Sequence, residues 1–128
     1  MSSTNACTEK IIGCAFEVHR YLGCGFLEKV YENALVMELR DKGFDVKQQY
    51  PITVIYKGKI VGEYVVDLIV DNKVLVELKT AREIASAHIG QCLHYLKAMR
   101  LPIGLLLNFG TERLGIKRVT IQRLLSAD

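Results

Sequence analysis

Two runs of strand-forming residues, VVDLIV at positions 65–70 and VLVELK at positions 74–79, place the strongest limit on how this chain can fold. Runs of β-branched and aliphatic residues separated by a polar turn predict consecutive antiparallel strands. Each run contains one carboxylate, Asp67 in the first and Glu77 in the second. An ionised carboxylate among apolar neighbours loses hydration worth several kcal/mol unless another group compensates for it. A divalent cation would be such a group.

The length of the turn between the strands decides whether the two carboxylates meet. Side chains alternate between the two faces of a strand, so a shift of one residue moves a side chain to the other face. A two-residue turn would pair Asp67 with Val76 and leave Glu77 on the opposite face. A three-residue turn would pair Val70 with Val74 and place Asp67 opposite Glu77, with Cβ atoms roughly 5 Å apart. A metal site therefore requires the three-residue turn, or a bulge that has the same effect.

Carboxylate oxygens at that separation suit Mg²⁺ or Mn²⁺, which prefer oxygen ligands and keep part of their hydration. Lys79 follows Glu77 by two residues, so both side chains point to the same face. The Lys79 ammonium would stabilise charge on a phosphate or help to deprotonate an attacking water. Glu28, at the edge of an apolar helical stripe, would be a third acidic ligand if its helix packs at the mouth of the hairpin. Its place in the first helical turn has a second explanation, the helix dipole, and both roles can coexist.

The whole chain has the size and composition of one globular domain. Its 128 residues are half apolar and one-quarter charged, which predicts a single domain over residues 1–128. A net charge of +3 is compatible with a polyanionic partner but does not indicate one by itself. Apolar stretches are too short to span a bilayer, so no membrane partner is expected. The cysteines show neither C-x-x-C spacing nor a nearby histidine ligand, which predicts reduced thiols in a cytoplasmic protein; they are Cys7, Cys14, Cys24 and Cys92.

Helical periodicity dominates the first third of the chain. The spacing of apolar residues predicts a helix from about Thr8, as N-cap, to Leu22, where a glycine ends it. A second helix is predicted over Leu27 to Lys42, and Gly43 can take the left-handed conformation after it.

Strand signals follow, with one further helix. From Phe44 onward the pattern predicts four strands, of which the first is the weakest, with Pro51 at an edge position or bulge. A third helix is predicted within residues 80–100, where Thr80 and Glu83 would form a capping box and Ser86 is a rival start. The segments IGLLLNFG and IKRVTIQRL predict two more strands, the second at an edge. The expected order is α-α-β-β-β-β-α-β-β.

The third helix carries polar groups on one side. Gln91 and Tyr95 are four residues apart and share a face, and His88 lies one turn earlier. An amide and a phenol there would position a water or hold a phosphate oxygen by hydrogen bonds. The chain beyond this helix is basic, and its cationic residues are candidates for contacts with a nucleic-acid backbone: Lys97, Arg100, Arg113, Lys117, Arg118 and Arg123.

Each of these residues also has a simpler structural explanation. Asp67 would serve as a buried carboxylate bonded to backbone N–H groups, and Tyr31 as a core residue with its hydroxyl at the surface. Gln91 and Tyr95 would be a surface amide and a core aromatic residue. The histidines lack ligand spacing, and the basic residues would form in part a solvated face. The functional interpretation rests on the conjunction of several features in one order.

That conjunction resembles the PD-(D/E)XK nuclease superfamily. Asp67 and the Glu77-Leu78-Lys79 triplet resemble its signature on consecutive strands, although Val66 stands where the signature has proline. The Gln91-x-x-x-Tyr95 spacing is similar to the Q-x-x-x-Y motif of RecB-like members. The segment from Gly25 through Glu28 to Tyr31 resembles the signature of the small GxxExxY family within that superfamily.

The resemblance implies an α/β fold with a restriction-endonuclease-like core of order α-β-β-β-α-β and a central mixed sheet flanked by helices. It implies Mg²⁺ or Mn²⁺ held by Glu28, Asp67 and Glu77, catalysis by Lys79, and support of the site by Gln91 and Tyr95.

The expected function is metal-dependent hydrolysis of phosphodiester bonds in DNA or RNA, with little sequence specificity. A non-catalytic nucleic-acid-binding module and a protein-interaction subunit, as a homodimer or within a larger complex, are the alternatives.

Overall fold

The computed structural model describes residues 4–125, which form five strands and four helices. The helices are α1 (Thr4–Leu22), α2 (Glu28–Asp41), α3 (Ser86–Met99) and α4 (Gln122–Leu125). The strands are β1 (Val46–Tyr56), β2 (Lys59–Val70), β3 (Val74–Lys79), β4 (Ile103–Asn108) and β5 (Gly115–Thr120).

The strands form a single mixed sheet in the order β1-β2-β3-β4-β5. Neighbouring strands are antiparallel except β3 and β4, which are parallel. A parallel pair needs a crossover connection, and α3 provides it. The sequence α2-β1-β2-β3-α3-β4 confirms the expected core order, and the fold is restriction-endonuclease-like.

Helices cover both faces of the sheet. Helices α1 and α2 bury one face, whose apolar residues, such as Ile11, Leu35 and Val76, we call the helix-pair core. Helix α3 covers part of the other face, where Leu75 and Leu96 belong to what we call the α3 core. Strand β3 lies between the two cores, which explains its almost uninterrupted apolar sequence.

Helix α1 begins earlier than its sequence pattern predicts. It starts at Thr4, so Thr8 is an interior residue and the predicted N-cap is wrong. The Thr8 side chain is fully buried, and its hydroxyl donates to the Asn5 carbonyl at 2.9 Å. The Thr8 hydroxyl therefore has its hydrogen-bond acceptor within α1, and the helix runs through this residue instead of beginning there.

The ends of α2 agree with the prediction. Leu27 is the extended residue before the first turn, and Gly43 follows the helix with a φ of +89°. The Phe44 N–H donates to the Leu39 carbonyl at 3.1 Å, which satisfies one of the last carbonyls of the helix.

Two other predictions about local structure are wrong. Three strands precede α3, because β1 continues through Pro51 as one edge strand. The predicted capping box of Thr80 and Glu83 does not form, whereas the alternative start of α3 at Ser86 is confirmed. His88 caps this helix, with its Nδ1 accepting from the Ala85 N–H at 3.0 Å.

The β1–β2 hairpin extends well beyond the rest of the sheet. Strand β2 pairs with β3 only through residues 68–70, whereas β1 and β2 stay paired along their whole lengths. Residues 50–66 therefore form a two-stranded projection, which we call the hairpin arm. Its apolar side chains are largely exposed, among them Ile55, Ile60 and Val61.

Within residues 4–125, no helix has both the length and the apolar character needed to cross a bilayer.

Candidate active site

The hairpin between β2 and β3 has the three-residue turn that a carboxylate pair requires. Val70 pairs with Val74, and the register continues to Leu68 opposite Val76. Asp71 and Asn72 in the turn take left-handed conformations, with φ values of +52° and +53°. One step beyond Leu68 and Val76, the same register places Asp67 opposite Glu77.

At this level the carboxylates themselves join the two strands. The Asp67 N–H donates to Glu77 Oε2 at 3.2 Å, and the Leu78 N–H donates to Asp67 Oδ2 at 2.8 Å. The regular ladder ends at Leu68 and Val76, so side-chain oxygens accept where strand carbonyls would otherwise do so. The alternative explanation for Asp67, a carboxylate anchored by backbone N–H groups, is thus also satisfied.

The Glu77 carboxyl is held in an environment that disfavours its charge. Only 6% of the residue is exposed. Burial, then the hydrogen bond and negative charge of Asp67, raise the pKa of Glu77 to about 9, against the opposing effect of Lys79. Without a cation, this carboxyl therefore keeps its proton at neutral pH. A divalent cation would replace the proton, so the donor set fits Mg²⁺ or Mn²⁺.

Glu28 approaches the pair from the first residue of α2. Burial and then the charge of Asp67 raise the pKa of Glu28, whereas Lys79 lowers it. The charges of Asp67 and Lys79 therefore act on Glu28, whose role as a third metal ligand stays a prediction. In the part of the chain that the structure describes, however, no three acidic, histidine or cysteine side chains are grouped closely enough to hold a metal ion.

Tyr31 explains how Glu28 comes to be there. The Tyr31 hydroxyl donates to the Gly23 carbonyl at 2.6 Å and accepts from the Phe26 N–H at 3.2 Å. Its ring stacks on Phe109, with centroids 4.8 Å apart. Tyr31 is a core residue as predicted, but its hydroxyl is buried and ties the α1–α2 turn rather than reaching the surface. This turn sets where α2, and hence Glu28, begins.

Lys79 is half-buried at the end of β3, on the same face as Glu77. Its charge lowers the pKa values of Glu77 and Glu28, which places it electrostatically within the site. No ion pair within 4 Å engages its ammonium among residues 4–125. The Lys79 ammonium therefore lies near the carboxylates without forming a direct salt bridge.

Asn108 holds the loop that follows Lys79, a role that sequence analysis missed. It is 1% exposed and pairs with Lys79 in the β3–β4 register. Its amide Nδ2 donates to the Ala81 carbonyl at 2.9 Å, and its Oδ1 accepts from the N–H groups of Ala81 and Gly110. The loop approaches so closely that a Cβ at Gly110 would lie 2.6 Å from the Thr80 carbonyl carbon.

A second polar network, also missed, links α2 to Asp67. Glu32 is 2% exposed, and its Oε2 accepts from Lys29 Nζ at 2.9 Å and from Gln48 Nε2 at 2.5 Å. Gln49 donates from Nε2 to Glu32 Oε1 at 2.9 Å, and the same nitrogen lies 3.4 Å from Asp67 Oδ1. The spacing of Glu32 four residues after Glu28 was the only available sequence signal, since it puts both on one side of α2.

Gln91 and Tyr95 lie on α3 and border an open groove. Tyr95 is 8% exposed, and burial followed by the charge of Glu77 raises the pKa of its hydroxyl. Gln91 is exposed and lines the groove with Tyr95. His88, predicted on the same side, instead caps the helix.

The predicted basic residues are distributed over several parts of the surface. Lys97 lines the same groove as Gln91. Arg100 takes the left-handed position that ends α3, and Arg113 lies in the β4–β5 connection. Neighbouring Lys117 and Arg118 point to opposite faces of β5. The Arg118 guanidinium donates to Asn5 Oδ1 and Thr8 Oγ1, so it ties β5 to α1.

Comparison with known proteins identifies a family and a similar solved structure. A family model described as the PD-(D/E)XK nuclease superfamily matches residues 5–119. The crystal structure of SSO0001 has a TM-score of 0.58 at 16% sequence identity, with 77% of this chain and 54% of that chain covered. This chain thus spans about half of that solved chain, and the likeness concerns the fold alone. No curated protein sequence matches.

Proposed function

Because the chain belongs to the PD-(D/E)XK nuclease superfamily, we propose that it hydrolyses phosphodiester bonds of DNA, or of RNA, with Mg²⁺ or Mn²⁺. The observation that carries the proposal is the carboxylate pair of Asp67 and Glu77, hydrogen-bonded across two strands, with Lys79 on the same face. A buried pair of this kind costs stability unless a cation or proton neutralises it. The single domain predicted over residues 1–128 is the catalytic unit of this proposal.

Asp67 and Glu77 hold the cation, and Glu28 adds a third oxygen ligand by a small movement of α2 or its own side chain. When bound, the cation would neutralise the carboxylates, polarise the phosphate and lower the pKa of an attacking water. Lys79 stabilises the negative charge that develops on the phosphate oxygens. Gln91 and Tyr95 orient water or a phosphate oxygen beside the carboxylates.

The finer family assignment is part of the same proposal. Two observations, one on Tyr31 and one on Glu28, support the GxxExxY signature of Gly25, Glu28 and Tyr31. Tyr31 ties the turn before α2, and Glu28 begins the helix within the electrostatic range of Asp67. The RecB-like Q-x-x-x-Y assignment is supported by Gln91 and Tyr95, which lie on the helix that flanks Glu77.

The basic residues of the C-terminal third are proposed contacts to the nucleic-acid backbone. Lys97, which lines a groove together with Gln91 and Tyr95, is the best placed of them. The cytoplasmic location and a homodimer or larger complex stay predictions from the sequence.

The test is cleavage of labelled single-stranded, duplex and branched DNA and RNA with Mg²⁺, Mn²⁺ or EDTA. Wild type is compared with Asp67→Asn and Glu77→Gln, which preserve side-chain size. Glu63→Gln, an exposed acid on the same strand as Asp67, is the matched control. Metal-dependent cleavage lost in the first two variants and kept in the third is expected. Cleavage that survives in both site variants would contradict the proposal.

A non-catalytic nucleic-acid-binding module is the second candidate. It is favoured by one observation, that no third ligand joins Asp67 and Glu77 within residues 4–125. Nucleic-acid binding with no cleavage under any metal, and with no effect of Glu77→Gln, would select this function instead.

A further inference from the structure

A groove lies between the hairpin arm and α3. Its volume is about 800 Å³, within the range of about 300–1,000 Å³ that is usual for small-molecule sites. Val54 and Tyr64 of the arm form one wall, and Gln91, His94, Tyr95 and Lys97 of α3 form part of the other. None of the motifs discussed above includes the arm.

Small residues of α3 open this groove. Ala87, Gly90 and Ala98 face it, and a Cβ built at Gly90 would meet no atom within 4 Å. Glycine in the middle of a helix is unfavourable relative to other residues, so the space it leaves is not required for helix formation.

Two tyrosines, one from each wall, line the groove. Tyr64 and Tyr95 lie with ring centroids 5.7 Å apart and planes inclined by 51°. The Tyr64 ring packs over Gly62, where a Cβ would come within 3.3 Å of Tyr64 Cε2. Tyr64 is 47% exposed, so its ring is held in place while part of it stays open to a ligand.

The charge and position of the groove indicate what it would accept. Lys97 contributes a cation, and no acidic residue lines the groove among those that the structure describes. Tyr95 belongs to the α3 core together with Leu75, two residues before Glu77, so this side of the groove lies next to the strand that carries Glu77. Burial first, and then the charge of Glu77, raise the pKa of the Tyr95 hydroxyl. Aromatic walls with a nearby cation bind bases by stacking, and a base offers its faces only when it leaves the duplex stack.

We propose that this groove binds an unpaired nucleotide of the substrate strand, stacked against the exposed ring of Tyr64 next to Tyr95, with Lys97 facing its phosphate. The inference rests on the proposed nuclease function and deepens it, since it makes single-stranded segments the preferred substrate. Tyr64 is then a substrate-binding residue that the family motifs do not include.

The test measures binding separately from cleavage. Oligodeoxynucleotides that contain 2-aminopurine are titrated in EDTA, as single strands and as duplexes, with quenching of the base fluorescence as the sign of stacking. Tyr64→Ala should weaken binding of single strands by about tenfold, the loss expected for one stacked base. Tyr64→Phe should restore both affinity and quenching.

Two more variants control for folding and for surface apolarity. Gly90→Leu fills the groove while improving helix propensity, so its loss of single-strand binding could not come from unfolding. Ile60→Ala removes an exposed apolar side chain of the same arm outside the groove, and should bind like wild type. Wild-type affinity in Tyr64→Ala and Gly90→Leu, or an equal loss on duplexes, would overturn the proposal.

The outcome separates the groove from the nuclease. Tyr64-dependent binding without metal-dependent cleavage would support the nucleotide-binding groove and contradict the proposed nuclease activity. Metal-dependent cleavage that is equal on single strands and duplexes, and unchanged in Tyr64→Ala, would support the nuclease activity and contradict nucleotide binding in the groove. The same titration with oligoribonucleotides determines which sugar the groove accepts.

Discussion

Gln49 of β1 lies opposite Asp67 of β2. At Gln49 the alternation of side chains between the two faces of β1 reverses. Gln49 has a φ of +54°, and its Nε2 lies 3.4 Å from Asp67 Oδ1. Val46 packs in the helix-pair core, whereas Ile52, six residues later, packs in the α3 core. Strict alternation would put both on one face, so the left-handed residue reverses the phase. A left-handed non-glycine residue costs free energy, and such residues cluster at functional sites.

Gln49 is expected to position Asp67 through its hydrogen bond to Glu32. Gln49→Ala removes the amide that joins the two carboxylates, and should lower metal affinity or cleavage by about 10–100-fold. Gln48→Ala, which also loses a bond to Glu32 but none to Asp67, is the matched control. The measurement is cleavage as a function of Mg²⁺ concentration. Equal Mg²⁺ dependence in wild type and Gln49→Ala would show that the network does not act on the site.

Glu77 makes stability depend on pH. Its pKa in the folded chain, about 9, is above the ordinary value of 4.5, so the folded state binds more protons than the unfolded state between them. The free energy of unfolding in EDTA should therefore fall as pH rises from about 4.5 to about 9. Mg²⁺ should offset this loss, because it replaces the proton.

Thermal denaturation across this pH range, with EDTA or Mg²⁺, gives the comparison. Glu77→Gln, which does not titrate, should flatten the dependence and remove the Mg²⁺ effect. A wild-type profile that rises with pH would contradict the assigned charge state of Glu77.

Lys79 is expected to act on the reaction rather than on metal binding. Lys79→Ala should reduce cleavage by about 10²–10³-fold, as expected for loss of one group that stabilises transition-state charge. Apparent Mg²⁺ affinity should change little, because the lysine contributes no ligand. Lys10→Ala on α1 controls for the loss of one positive charge. Activity equal to wild type would remove the catalytic role.

Asn108 should contribute to both stability and activity. Asn108→Ala leaves the Ala81 N–H and carbonyl without their partner, at a cost of about 1–3 kcal/mol in the free energy of unfolding. Urea denaturation measures the loss, with the exposed Asn33→Ala as control. Because the freed loop follows Lys79 directly, cleavage should fall as well, under conditions in which the variant is fully folded. Unchanged stability would mean that water replaces the amide.

Lys97 tests the backbone contacts. If the Lys97 ammonium neutralises one phosphate, Lys97→Ala should reduce the slope of log affinity against log salt concentration by about one. Single-strand binding at several salt concentrations gives the slope. Lys10→Ala should keep the wild-type slope, and an unchanged slope in Lys97→Ala would place the phosphate elsewhere.

The carboxylate pair was largely predictable because its geometry is local. Only 10 positions separate Asp67 from Glu77, and side-chain alternation leaves two registers, of which the structure has the one with the three-residue turn. The two helices before the sheet and the crossover helix after it followed likewise from periodicity. The sequence offered Ser86 only as an alternative start of α3, because the His88 cap that favours it is outside the usual capping rules, and the strand count was wrong because β1 continues through Pro51 at the sheet edge.

The sequence by itself determined the two helices before the sheet, the crossover helix after β3 and the face that Glu77 shares with Lys79, and it reduced the register of the β2–β3 hairpin to two alternatives. Each depends on alternation or helical period, which act over a few residues. The tertiary structure decided the rest of the site. Gln49 meets Asp67 and Glu32, Asn108 holds the loop after Lys79, and Tyr64 joins Tyr95. These contacts link residues that are 17 to 31 positions apart, and only packing of the helices on the sheet brings them together.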